Sequence, residues 1–271
     1  MKPWLRVALV LAAVGMIPAC GSKGDTFTLT VLPVPTTGTI LYVSSAGPQN
    51  VLINVSPAAP NEIISAIGLK DLVGGEVIRG IDYTATGELF GFGSSNRLYR
   101  IDPQTGNCSV VGPLSVAAVG TAFGVDVDPI GGRIRILGDT NENFTLDPNG
   151  GAESVDPALA FAPADPNVGQ NPNIVACAYN SSGVLFAIDS NLDILVTVAP
   201  ATGLLTTVVG GLGVNVSSAA GFDINAINQA YAALEVAGVT GLYTVNLGTG
   251  AVSFQAVLGT GAPIRGFTLV P

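Results

Sequence analysis

Apolar positions along this chain fall in short runs of about five residues, bounded by glycine, proline, asparagine or aspartate. That pattern predicts β-strands joined by tight turns. One run differs: Val7 to Ile17 is 11 apolar residues behind the basic start Met1-Lys2-Pro3-Trp4-Leu5-Arg6. It is too short to span a bilayer and fits the core of a signal peptide.

Beyond residue 38 the runs repeat. Ile78-Arg79-Gly80-Ile81-Asp82-Tyr83, Phe123-Gly124-Val125-Asp126-Val127, Val175-Ala176-Cys177-Ala178-Tyr179, Ala220-Gly221-Phe222-Asp223-Ile224 and Ile264-Arg265-Gly266-Phe267-Thr268-Leu269 are copies of one strand. Their equivalent positions 80, 124, 176, 221 and 266 are spaced by 44, 52, 45 and 45 residues, and a Pro/Asn-rich insertion at 162–173 explains the long interval. After each copy comes a second strand, such as Glu88–Phe92, Arg133–Leu137, Val184–Ile188 or Gln229–Ala233. A third follows, such as Arg97–Ile101 or Gly241–Val245.

Next come the turns Asp102-Pro103-Gln104-Thr105-Gly106, Asp147-Pro148-Asn149-Gly150-Gly151, Ala199-Pro200-Ala201-Thr202-Gly203 and Asn246-Leu247-Gly248-Thr249-Gly250. Proline at the second position in three of the four and a closing glycine in all suit type I turn geometry, so the third and fourth strands form a hairpin. Four antiparallel strands every ~45 residues match the blade of a β-propeller. The expected fold is therefore all-β, with five four-stranded blades.

The ends predict how the ring closes. The first unit, with strands near 39–43, 50–55 and 63–67, lacks an inner strand, and the C-terminus supplies a spare one at Arg265–Val270. Joining them removes two open edges. Phe27–Val31 competes for the same slot, but only the C-terminal segment carries the Arg-Gly-Phe pattern. The expected organisation is a signal peptide over 1–19, a tether over 20–37 and the propeller over 38–271.

The leader ends in Ile17-Pro18-Ala19-Cys20, which resembles the bacterial lipobox, with Cys20 as the residue that receives lipid. That resemblance implies export and a lipid anchor in the cell envelope. Gly21 in place of aspartate implies sorting to the outer membrane.

Composition narrows the chemistry. Net charge is −9, and Lys and Arg form no cluster, so nucleic acid is not an expected partner. Histidine is absent, which removes the commonest general base and metal ligand. Cys108 and Cys177 fall in different blades and are expected as buried free thiols.

Gly80-Ile81-Asp82 with Gly87-Glu88-Leu89-Phe90, Asn96-Arg97-Leu98-Tyr99, and Phe123-Gly124-Val125-Asp126 with Arg133-Ile134-Arg135-Ile136 form a recognisable set, continued by Asp139, Asn141 and Asn143. Over residues 38–271 this set resembles a bacterial family of domains of unknown function found in secreted proteins. The resemblance implies a propeller-like fold and brings neither a reaction nor a ligand.

Two constellations stand out. Asp82, Asp126 and Asp223 recur on inner strands, where they either line a channel and hold a cation such as calcium through oxygen ligands, or tie each blade to the next. Recurrence across repeats favours the tie. Arg79 and Arg265 precede the inner-strand glycines and are expected to pair with those acids. The second constellation is Arg133 and Arg135, two apart and so expected on one strand face, with Asp139, Asn141 and Asn143 following. It is either a grip for an anionic ligand or a structural ion-pair cluster, with structure favoured. No cofactor is expected apart from that calcium. The functional expectation is an anchored, non-catalytic propeller that binds a ligand or protein partner. The alternative is a metal-assisted hydrolase, lactonase- or glycosidase-like, using the channel carboxylates.

Overall fold

The computed structural model describes residues 34–45, 50–115, 117–150 and 153–271. The leader, Cys20 and the rival strand at 27–31 lie outside the described residues. Five antiparallel sheets form a five-bladed propeller. From the axis outward, blade 1 is Ile264–Leu269, Ile40–Ser44, Val51–Ser56 and Ala59–Gly68. Blade 2 is Ile78–Tyr83, Leu89–Gly93, Arg97–Ile101 and Cys108–Pro113. Blade 3 is Phe123–Val127, Ile134–Gly138, Asn143–Leu146 and Ser154–Val155. Blade 4 is Ile174–Tyr179, Leu185–Asp189, Ile194–Ala199 and Leu204–Thr207, and blade 5 is Ala220–Ile224, Ala230–Val236, Val239–Val245 and Val252–Val257.

The C-terminal strand closes the ring. Ile40 pairs with Leu269 and Tyr42 with Phe267, and reciprocal backbone bonds join Val270 to Thr39 and Gly38 at 2.8 Å each. Blade 4 departs from the four-stranded expectation. Ala160–Phe161, the approach to the long insertion, adds a fifth strand parallel to Leu204–Thr207. Asp165 fastens the insertion by accepting from Thr207 N at 2.6 Å and Thr207 Oγ1 at 2.9 Å.

Each blade-to-blade interface buries its own apolar cluster, such as Phe90, Phe92, Phe123, Ile134 and Ile136 between blades 2 and 3. The inner strands approach so closely that glycine is required at their contacts. A Cβ on Gly124 would run into the backbone of Ala176 and Cys177, and one on Gly266 would lie 2.9 Å from Ile81 N. The axis is consequently filled. The void between the inner strands measures about 10 Å³, room for no more than about one water.

Candidate functional site

Asp82, Asp126 and Asp223 occupy the same register position of blades 2, 3 and 5. Alignment of the inner strands puts Ala178 at that position in blade 4 and Thr268 in blade 1. The three carboxyl groups converge, with oxygens within 4.8 Å of one another, and are only 6%, 3% and 8% exposed. Each accepts a backbone N–H from the inner strand of the next blade around the ring. Val127 N donates to Asp82 Oδ2 at 2.7 Å, Tyr179 N to Asp126 Oδ2 at 2.7 Å, and Leu269 N to Asp223 Oδ2 at 2.6 Å. Thr268 Oγ1 donates to Asp82 Oδ1 at 2.7 Å and reaches Asp223 Oδ2 at 3.2 Å, bridging blades 2 and 5 from blade 1. Asp223 Oδ1 accepts from Ile224 N in its own blade, while Ala178 offers no acceptor.

Burial dominates the titration of this ring. It pushes Asp82 up to about 8, assisted by repulsion from Asp223, and Asp223 up to about 6. Asp126 is driven well above the usual carboxylate range by burial, by its two acidic neighbours and by a side-chain hydrogen bond with Asp82. Carboxyls that share protons and spend their oxygens on backbone donors hold the blades in register. A calcium ion would need six to eight oxygens, and these oxygens are already largely engaged.

Arg79 and Arg265 do not pair with these acids, contrary to the sequence expectation. Arg79 and Asp82 are three residues apart, as Arg265 is from Thr268, so the side chains lie roughly 10 Å apart along the strand, and both arginines sit at bulges where the inner strand slips register against its neighbour. Arg79 Nη1 donates to the Gly120 carbonyl, and its guanidinium lies 5.6 Å from the centroid of the Phe123 ring. Among the described residues Arg265 makes only long contacts, 3.5 Å to Asn50 Oδ1 and 3.4 Å to the Ser45 carbonyl. Both line a concavity of about 210 Å³ at the N-terminal ends of the five inner strands, with Thr121, Phe123, Val175, Ser218 and Ile264 among its walls. This is the mouth of the propeller axis.

The second constellation divides. Arg133 precedes the strand Ile134–Gly138 and is half-buried, whereas Arg135 lies within it and is buried. Arg135 Nη1 donates to Asn143 Oδ1 at 2.7 Å and to Asp156 Oδ2 at 2.5 Å, and Nε reaches Tyr179 Oη at 3.4 Å. Asn143 Nδ2 in turn donates to the carbonyls of Pro157 and Pro200 at 2.9 and 2.8 Å. Arg135 and Asn143 are thus interior ties between blades 3 and 4.

Asp139 is elsewhere. It accepts from Thr121 N at 2.8 Å, Thr121 Oγ1 at 2.7 Å and Ala122 N at 3.2 Å, which fixes the loop forming one lip of the axial mouth. Glu142, buried beside it, accepts from Val119 N at 3.0 Å and Gly120 N at 2.6 Å. Asn141 holds a left-handed turn, φ 73°, and donates to Asn171 Oδ1 at 2.8 Å.

Sequence reasoning left out Asp156, Thr268, Ser218 and the loop at Thr121. Of these Thr268 was discoverable, because it falls at the aspartate position of the repeated strand. Cys108 and Cys177 are free and buried. Burial pushes the Cys108 thiol up to about 11 and that of Cys177 well above its ordinary value.

A family profile described as a domain of unknown function (DUF4394) matches residues 51–268. No match is found among curated proteins. Among solved structures, a structural-genomics protein of unknown function from Bacteroides thetaiotaomicron VPI-5482 is similar at 14% identity and TM-score 0.57, over 85% of this chain and 60% of that one. A chain of a nidogen/laminin complex matches at 12% identity and TM-score 0.55, over 86% and 98%. Glutaminyl cyclase from Myxococcus xanthus matches at 13% identity and TM-score 0.51, over 80% and 86%. Such likenesses show the fold alone. That fold serves an enzyme in one case and a protein complex in another, so it selects neither role.

Proposed function

We propose that this chain, which belongs to the DUF4394 family of domains of unknown function, is a non-catalytic binding propeller displayed on the cell envelope through a lipid on Cys20. The observation that carries the reading is the division of labour along the axis. Among the described residues, the one group of three acids near enough to share a metal is enclosed beneath the inner strands and tied to backbone N–H groups. The open end of the axis presents guanidinium groups and hydroxyls instead. Donors without a nucleophile or general base suit capture of a ligand rather than its cleavage.

Convergence of three carboxyls within 4.8 Å is what favours the second reading, a metal-assisted lactonase- or glycosidase-like hydrolase. The two readings separate on turnover. The purified chain is incubated with lactone and glycoside substrates, with and without calcium. No product is expected. Product formation abolished by Asp126→Asn overturns the non-catalytic reading. For the anchor, Cys20→Ser should move the protein from the outer-membrane fraction into the soluble fraction, and unchanged partitioning refutes it. Lipidated cysteines carrying several acyl chains hold stably, whereas a single chain does not.

A further inference from the structure

We propose that the axial mouth is an oxyanion-binding site built by Arg79 and Arg265, which line it from the neighbouring inner strands of blades 2 and 1 with no carboxylate partner among the described residues. The proposal rests on the binding reading and names the chemistry of the ligand. Of the basic residues in the propeller, Arg97 is paired with Glu76 at 3.2 Å, Arg100 with Glu88 at 3.1 Å and Arg135 with Asp156 at 2.5 Å. Among the described residues Arg79 and Arg265 have no such partner, although the chain carries −9 and acids are plentiful.

The acids nearest the mouth are consumed elsewhere. Asp139 and Glu142 are saturated by the backbone and hydroxyl donors of the loop from Val119 to Ala122. Two like charges held at one opening repel. Burial and the Arg79 charge both push the Arg265 pKa down.

Arg79 spends one donor on the Gly120 carbonyl, which aims the rest of its fork. The long contacts of Arg265 leave its donors weakly used. Ser218 adds a rim hydroxyl, whereas that of Thr121 is spent on Asp139. A concavity of about 210 Å³ admits a small anionic group, such as a sulfate, a phosphate or the carboxylate end of a larger molecule. Two guanidinium forks are the donor arrangement suited to such groups.

The test is calorimetric titration of the full chain with sodium sulfate, inorganic phosphate and sodium acetate, at an ionic strength held constant with chloride. Constant ionic strength removes screening as a variable. Saturable binding of at least one anion is expected. Preference for sulfate or phosphate over acetate assigns a tetrahedral oxyanion, and the reverse assigns a carboxylate. Arg265→Gln should weaken binding about tenfold or more, as loss of a charged hydrogen-bond donor does. Arg79→Gln with Arg265→Gln should abolish it.

Ser218→Trp fills the rim while keeping both arginines, so it tests the location even where the double variant folds poorly. It too should abolish binding. Absence of saturation by all three anions overturns the proposal, as does undiminished binding in Arg265→Gln or Ser218→Trp. Neither of those results bears on the non-catalytic reading, which falls only to turnover.

Discussion

Raising the pH from 5 to 8 should destabilise this protein, because its axis is built on carboxyl groups that keep their protons. An aspartate in the unfolded chain ionises near pH 4. In the fold Asp82 is pushed up to about 8 and Asp223 to about 6, with Asp126 also raised, all by burial. The folded state therefore binds more protons than the unfolded state throughout this window. The stabilisation is complete below about pH 4 and is lost as pH rises through those folded values.

One retained proton changes stability by about 1.4 kcal/mol per pH unit. Asp82 alone then contributes a loss of about 3 kcal/mol between pH 5 and pH 7, and the other two carboxyls steepen the fall. For a domain of this size that corresponds to a drop in Tm of roughly 5–10 °C. With no histidine in the chain, no other ordinary side chain titrates there.

Urea unfolding followed by circular dichroism at half-unit pH steps is the direct assay. Asp126→Asn, which keeps the shape and removes one titrating group, should flatten the slope. Added calcium tests the remaining alternative, since a bound divalent ion would neutralise the ring and abolish the fall. Stability that is level or rising from pH 5 to 7 in metal-free protein refutes the protonated ring.

Three further outcomes follow from the packing. Deleting Arg265–Pro271 removes the inner strand of blade 1 together with the Leu269 and Thr268 ties to Asp223 and Asp82, and thermal melting should show loss of the cooperative transition. Gly124→Ala, which forces a Cβ against the Cys177 backbone, should cost roughly 1–3 kcal/mol or more by chemical unfolding, whereas Gly112→Ala, which meets nothing, should be near neutral. Arg135→Gln breaks the interior pair with Asp156 and leaves Asn143 without its donor, so a loss of about 2–4 kcal/mol is expected by the same assay.

The propeller was legible because its repeated strand carries both the glycine that permits close contact and the aspartate that reaches the next blade. Gly80 with Asp82, Gly124 with Asp126 and Gly221 with Asp223 record one local requirement three times. Closure was legible for the same reason at Gly266. The destination of a side chain that leaves its own strand was not. Arg135 finds Asp156 twenty-one residues away, on a loop with no periodic pattern. Arg79 and Arg265 look adjacent to the acids in sequence, but the rise of the strand carries them toward the other end of the axis. The fifth strand at Ala160–Phe161 exists only through pairing with Leu204–Thr207, a partner that comes later in the chain.

The pairing of Ile40 with Leu269 sets the order of events during biogenesis. A ribosome delivers Ile40–Ser44, the second strand of blade 1, long before its inner partner Ile264–Leu269. The ring cannot close until Ile264–Leu269 emerges, and contacts so distant in sequence form slowly. On the export reading, this delay has a use: a chain that must thread a membrane as an extended polymer cannot close its ring prematurely, since the strand that closes it crosses only after the other four blades.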